Sequence, residues 1–208
     1  SAGFPRIYEL ALELISHQDG RVDSENATRF IAAYQSVEPL KLGELWAFPI
    51  MLRLALLENL RRVGSRIARG REEYNTAVMW ADRMLDMAEK DPKQLAQLLA
   101  EFAAADVPLT AAFVEEFNAR LQSQGTALAF VQTWIDNQLL EQGVNSTQLI
   151  QDASHTAAAN QISIANSIGS LRFISSMDWR DFVEAHSAVE QILRKDPTGM
   201  HSRQNFAT

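Results

Sequence analysis

Residues 42–62 read LGELWAFPIMLRLALLENLRR. From Leu45 to Leu57 the stretch holds thirteen residues in which the single charge is Arg53 and the single helix breaker is Pro49. Thirteen helical residues rise about 20 Å, while a bilayer core of about 30 Å asks for roughly twenty apolar residues, so this segment is too short to cross a membrane. On a helical wheel Leu45, Trp46, Phe48, Ile50, Met51, Leu52, Leu54, Leu56 and Leu57 point in every direction. A helix of that kind is buried by neighbours on several sides. Pro49 removes a backbone donor and crowds the preceding turn, so it either kinks the helix or opens its main segment. A guanidinium midway along such a helix must snorkel or meet an acidic or carbonyl partner. For Arg53 the expectation is an ion pair with Asp178 or Glu184.

Helical periodicity continues on both sides of this stretch, and no run of alternating β-branched residues reads as a strand. The fold class is therefore all-α, with no sheet. A first helix starts near Pro5, turns Ile7, Leu10 and Leu14 inward and stops at Asp19-Gly20; Asp23 or Ser24 caps a second, which ends before Pro39. Gly64 and Gly70 weaken the end of the third, and residues 72–90 go on helically to Asp91-Pro92. Helices follow from Pro92 to about Ala104, from Pro108 or Thr110 to Gly125, and through Leu128, Val131, Ile135 and Leu139. The longest candidate runs from Asn145 to Ile174; its small residues Ala159, Ser163, Asn166, Gly169 and Ser170 are expected to let another helix approach closely. Asp178 caps a last helix that ends at Asp196-Pro197. Short connections favour a single compact array of about eight to ten helices, with residues 1–208 as one domain.

Composition narrows the chemistry. With 47% hydrophobic and 22% charged residues the chain can bury an interior, and a net charge of −7 with pI near 5.1 argues against nucleic acid as a partner. There is no cysteine, and the N-terminus lacks the basic region of a secretion signal. His17, His155, His186 and His201 form no close ligand pair, so no metal site is expected; neither common phosphate-cradling glycine loop occurs. Asp19-Gly20-Arg21-Val22-Asp23 puts its glycine at the wrong place for a calcium loop and reads as a turn before a helix cap. Trp46, Trp80, Trp134 and Trp179 sit at helical spacing among aliphatic residues and read mainly as packing. Arg62, Arg66 and Arg69 share one helical face, a solvated patch or one drawn to anionic headgroups or an acidic partner. Arg53, Asn160, Gln161, Asn166, Arg172 and Trp179 are the polar positions in helix seams that need a hydrogen-bond partner or a function. No catalytic residue is assigned.

Three segments carry a resemblance: residues 19–62, within which GELWAFPIMLRLALLENLRR stands out; residues 158–200, with SLRFISSMDWRDFVEAHSAVEQILRKDPTG; and the terminal NFAT. They resemble the region ahead of the membrane-embedded glycosyltransferase in cyclic β-1,2-glucan synthases. Where relatives often read YARMDF, this chain has HSRQNF from His201 to Phe206. The resemblance implies a very large bacterial inner-membrane parent that polymerises and cyclises glucose from UDP-glucose with a divalent metal. The present chain would be a piece excised from it on the cytoplasmic side. Neither the aspartate motif nor the QxxRW motif of that transferase occurs in the chain, so no cofactor is expected in this part. It then reads as a non-catalytic scaffold or interaction domain whose partners are the remaining domains of the parent and, through the basic patch, the inner-membrane surface. The competing reading is a module that binds or hydrolyses β-1,2-glucan through Trp46, Trp179 and nearby acids.

Overall fold

A computed structural model describes residues 3–122 and 128–193. Among these residues nine α-helices and one 3₁₀ turn account for all regular structure, and no strand occurs. The helices are α1 (Arg6–His17), α2 (Ser24–Gln35), α3 (Leu42–Lys90), α4 (Leu95–Ala104), α5 (Ala111–Leu121), α6 (Ala129–Glu141), α7 (Ser146–Ser176), α8 (Trp179–His186) and α9 (Ala188–Leu193). The expected all-α class stands. The expected stops at Gly125 and at Asp196-Pro197 lie outside the described residues. No described helix is long and apolar enough to cross a membrane.

Two compact units divide the chain. The first comprises Ser1–Val63 and Asn160–Thr208, the second Gly64–Ala159. In the first, Ile7, Ala11, Leu14 and Ile15 of α1 and Ala27 and Ile31 of α2 pack with Leu45, Phe48, Leu52, Ala55 and Leu56 of α3, Ile174 of α7, and Phe182 and Val183 of α8. The aromatic centre is Phe48, stacked on Phe182 at 5.9 Å between centroids and met edge-on by Trp179 at 6.3 Å. Pro49 sits buried inside α3 rather than at its start, and α3 runs on through Gly64 and Gly70 to Lys90. A glycine costs only about 1 kcal/mol in a helix interior, which the packing around it can outweigh.

Local chemistry sets the ends of these helices. Asp23 and Asn26 form a reciprocal capping box at the start of α2, at 2.9 and 3.0 Å. At the start of α3 the Glu44 carboxylate accepts from the Lys41 amide at 2.7 Å and from Arg6 Nε and Nη2, both at 2.7 Å. Arg6 also pairs with Glu38 and donates to the Pro39 carbonyl at 3.0 Å, so one guanidinium ties α1 to the turn that opens α3. The Arg6 bonds, aided by the Lys41 amide and opposed by burial, hold the Glu44 carboxyl down at about 2.

The second unit has its own core. Phe102 of α4 stacks on Phe113 and Phe117 of α5 at 5.7 and 5.8 Å, with Trp80 and Trp134 edge-on to it. Met84, Leu95, Leu98, Val131, Ile135 and Leu139 complete that interior. Thr110 caps α5 through the Phe113 amide, and its hydroxyl donates to Glu73 at 2.9 Å.

Candidate functional site

Three of the polar positions singled out in the sequence, Asn166, Arg53 and Trp179, fall into two groups, both in the first unit. One group is a buried seam between the α1–α2 turn, α3 and α7. Ser163, Ser167 and Ser170 lie on one face of α7 and are buried. Asn59 of α3 donates through Nδ2 to Ser163 Oγ at 2.8 Å and to Ser167 Oγ at 3.0 Å. Ser170 Oγ accepts from the Val22 amide at 2.7 Å and donates to the Gly20 carbonyl at 2.8 Å. Asn166 Nδ2 donates to the Asp19 carbonyl at 3.2 Å. The turn reaches this position because Asp19 and Gly20 both take positive φ, 47° and 79°. A Cβ on Gly20 would collide with Ser167 Oγ and stand 3.1 Å from the Ser163 carbonyl. The small side chains of α7 therefore admit a backbone turn and an asparagine, where the sequence reading expected a helix; Ala159 and Gly169 are exposed.

The Asn59, Ser163, Ser167 and Ser170 bonds satisfy backbone or side-chain groups that burial would otherwise leave costly, so their chemistry is structural. Asn160 is buried and has hydrogen-bonding or electrostatic company of its own. Gln161 and Arg172 are exposed. Asn59 and Ser167, which hold the seam together, escaped the sequence reading. The available signal was an uncharged amide between Glu58 and Leu60 at the end of an apolar run, and serines spaced four and three residues apart.

The second group gathers where α7 ends. The last carbonyls of a helix lack intrahelical donors. Trp179 Nε1 donates to the Ile174 carbonyl at 2.8 Å, and Arg53 Nη2 approaches the same oxygen at 3.5 Å. A cation is favoured at this negative end of the helix dipole. The expected ion pair of Arg53 with Asp178 or Glu184 is not formed: Asp178 caps α8 through the Arg180 amide, and Glu184 pairs with Arg180 at 3.2 Å. Arg53 is itself exposed, so solvation and a carbonyl replace the acid.

The outer side of α3 was expected to be buried all round, and it is not. Trp46, Ile50, Leu54 and Leu57 are 42%, 54%, 46% and 54% exposed, a contiguous apolar row. Beside it runs a groove of about 490 Å³ lined by Phe4, Pro5, Tyr8, Met51, Leu54, Leu57, Glu58 and Arg61. Arg61 holds Glu58 with two bonds at 2.8 and 2.7 Å, which lower the Glu58 carboxyl below its ordinary value. Of the basic positions, Arg62 donates to Asn59 Oδ1 at 3.3 Å and so touches the seam; Arg66 and Arg69, in the second unit, are exposed.

Trp80 is buried, while Trp134 and Trp179 are half-buried in aromatic clusters. Among the described residues no three His, Asp or Glu side chains gather to hold a metal ion. His201–Phe206 and the terminal NFAT lie outside the described residues.

No protein-family model matches the chain. Over 193 residues, 92% of its length, it is 32% identical to the cyclic beta-(1,2)-glucan synthase NdvB of Rhizobium meliloti (strain 1021). The chain spans 7% of that relative. The resemblance carried by the α3 stretch and the α7–α8 region thus holds across nearly the whole sequence, and the chain is related to a segment of a cyclic β-(1,2)-glucan synthase.

Proposed function

We propose that the chain is a non-catalytic helical scaffold and interaction segment of a cyclic β-(1,2)-glucan synthase. The observation that carries this reading is the outer face of α3, where four large apolar side chains stand in solvent beside an apolar groove. Exposed apolar area of that extent on an otherwise well-packed helix marks a contact surface. In such an enzyme the partners would be the remaining domains and the inner membrane on its cytoplasmic side. The polymerisation of glucose from UDP-glucose, with its metal, would belong to those other domains.

The test is turnover. The purified chain, given UDP-glucose with magnesium or manganese, should release no UDP above the buffer rate; sustained release would reject the proposal. A second reading, a module that handles β-1,2-glucan, draws on the exposure of Trp46, whose ring face could stack on a sugar. Calorimetric titration with a β-1,2-gluco-oligosaccharide separates the two. Saturable heat that disappears in Trp46→Ala would favour the glucan module, and no heat favours the scaffold. Flotation with vesicles containing anionic lipid, comparing the wild type with Arg62, Arg66 and Arg69 changed to Gln, tests the basic positions for membrane attraction.

A further inference from the structure

Along α3 the positions Trp46, Ile50, Arg53, Leu57 and Leu60 follow alternating steps of four and three residues. That is the spacing by which one helix seats lengthwise on another. Trp46, Ile50 and Leu57 are exposed, Leu54 flanks them, and Leu60 is half-buried. Among the described residues no helix covers the row. One flank is the groove between Phe4, Pro5 and Tyr8 on one side and Met51, Leu54 and Leu57 on the other. Arg53 stands in the middle of the row. Its contact among the described residues is the Ile174 carbonyl, while Glu58 pairs with Arg61 and Glu184 with Arg180. A guanidinium at a seam position can be covered at low cost only by something that brings an anion to it.

We propose that this face docks an amphipathic α-helix from another polypeptide segment, one with bulky aliphatic residues at seam spacing and a carboxylate level with Arg53. The proposal rests on the interaction-segment reading and gives the partner its chemistry. A second copy of the same face is disfavoured, because pairing it with itself about a two-fold axis near its middle brings Arg53 against Arg53. A bilayer presents a flat surface and leaves the trough beside Leu54 and Leu57 unfilled, whereas side chains of a helix enter it. Residues 194–208 carry Arg194, Lys195 and Arg203 against the single acid Asp196, the wrong balance to face a cation.

The experiment selects helical peptides displayed on phage against the full chain. Two libraries of three heptads vary the seam aliphatics and fix the central seam position as Glu in one and Lys in the other. Wild type should enrich the Glu library, and the best Glu peptide should bind about tenfold tighter than its Lys counterpart by fluorescence anisotropy. Arg53→Glu, at an exposed position and checked for unchanged helicity, should reverse both preferences. Equal enrichment of the libraries, no binder from either, or no reversal in Arg53→Glu would overturn the proposal. So would Leu57-dependent flotation with phosphatidylcholine–phosphatidylglycerol vesicles, which assigns the face to a membrane. Self-association in sedimentation equilibrium that Leu57→Asp abolishes would equally overturn it, in favour of a second copy. None of these outcomes touches the interaction-segment reading, which falls instead to UDP release.

Discussion

Gly20→Ala is the substitution for which the structure gives the sharpest expectation. Gly20 has φ 79°, a region in which an L side chain costs about 1–2 kcal/mol. The new Cβ would collide with Ser167 Oγ, and the Ser163 carbonyl at 3.1 Å belongs to α7 backbone and cannot swing aside. Overpacking of this kind costs about 1–3 kcal/mol. Rotating Ser167 away breaks its bond from Asn59 Nδ2, leaving a buried donor short of a partner for about another 1–3 kcal/mol. These costs overlap, and the expected loss is about 3–6 kcal/mol, a large part of the roughly 5–15 kcal/mol that holds a domain folded. Urea unfolding followed by far-UV circular dichroism measures it. Hydrogen exchange at the Val22 amide, bonded to Ser170 Oγ, reports the seam locally. In a Ser167→Ala background the collision with Oγ is gone while the φ strain stays, so Gly20→Ala should cost about 1–2 kcal/mol less there. A loss under about 0.5 kcal/mol in the wild-type background, or no relief in the second, would refute the reasoning.

Other expectations follow from the same contacts. Asn59→Ala removes one amide that serves two buried serines and should cost about 1–3 kcal/mol in urea, with faster exchange around the α1–α2 turn. Trp179→Phe keeps the ring against Phe48 and Phe182 but loses the bond to the Ile174 carbonyl, for about 1 kcal/mol, whereas Phe48→Ala opens a cavity and should cost about 3–5 kcal/mol. The Glu44 carboxyl sits at about 2 in the folded chain against an ordinary 4.5. Its contribution to stability is therefore complete above about 4.5 and drains away as pH falls from there towards 2. Glu44→Gln should lack that portion of the acid dependence when the two proteins are unfolded at a series of pH values. In the second unit, Phe102→Ala removes the ring on which Phe113 and Phe117 stack and should cost about 3–5 kcal/mol.

Period and caps made the helices legible in the sequence. The caps at Asp23, Thr110 and Asp178 are local events, and local chemistry decides them; the helix expected from Pro92 opens as a 3₁₀ turn and becomes α4 at Leu95. What resisted reading is tertiary. Thirteen nearly uncharged residues do not say whether a neighbour exists for every side, and α3 has none among the described residues over Ile50 and Leu57. Small residues on α7 announced close approach but not its object, since a turn with positive φ and an asparagine side chain need the same room as a helix. Arg53 had a disjunction of partners, and the carbonyl left over at the end of α7 is invisible until α7 and α3 are brought together. Gly64 and Gly70 were expected to weaken the end of the third helix, yet one helix passes through both to Lys90.

The openness of the α3 face is tested most directly by charging two neighbouring residues, one on the exposed face and one on the buried face of the helix. Leu57 stands in solvent and Leu56 is buried in the first unit. The urea midpoint of Leu57→Asp should leave stability within about 0.5 kcal/mol of wild type, as for ordinary surface changes, while Leu56→Asp should fail to fold. If Leu57→Asp loses several kcal/mol as well, that face is already covered, and the surface assigned here to a partner does not exist.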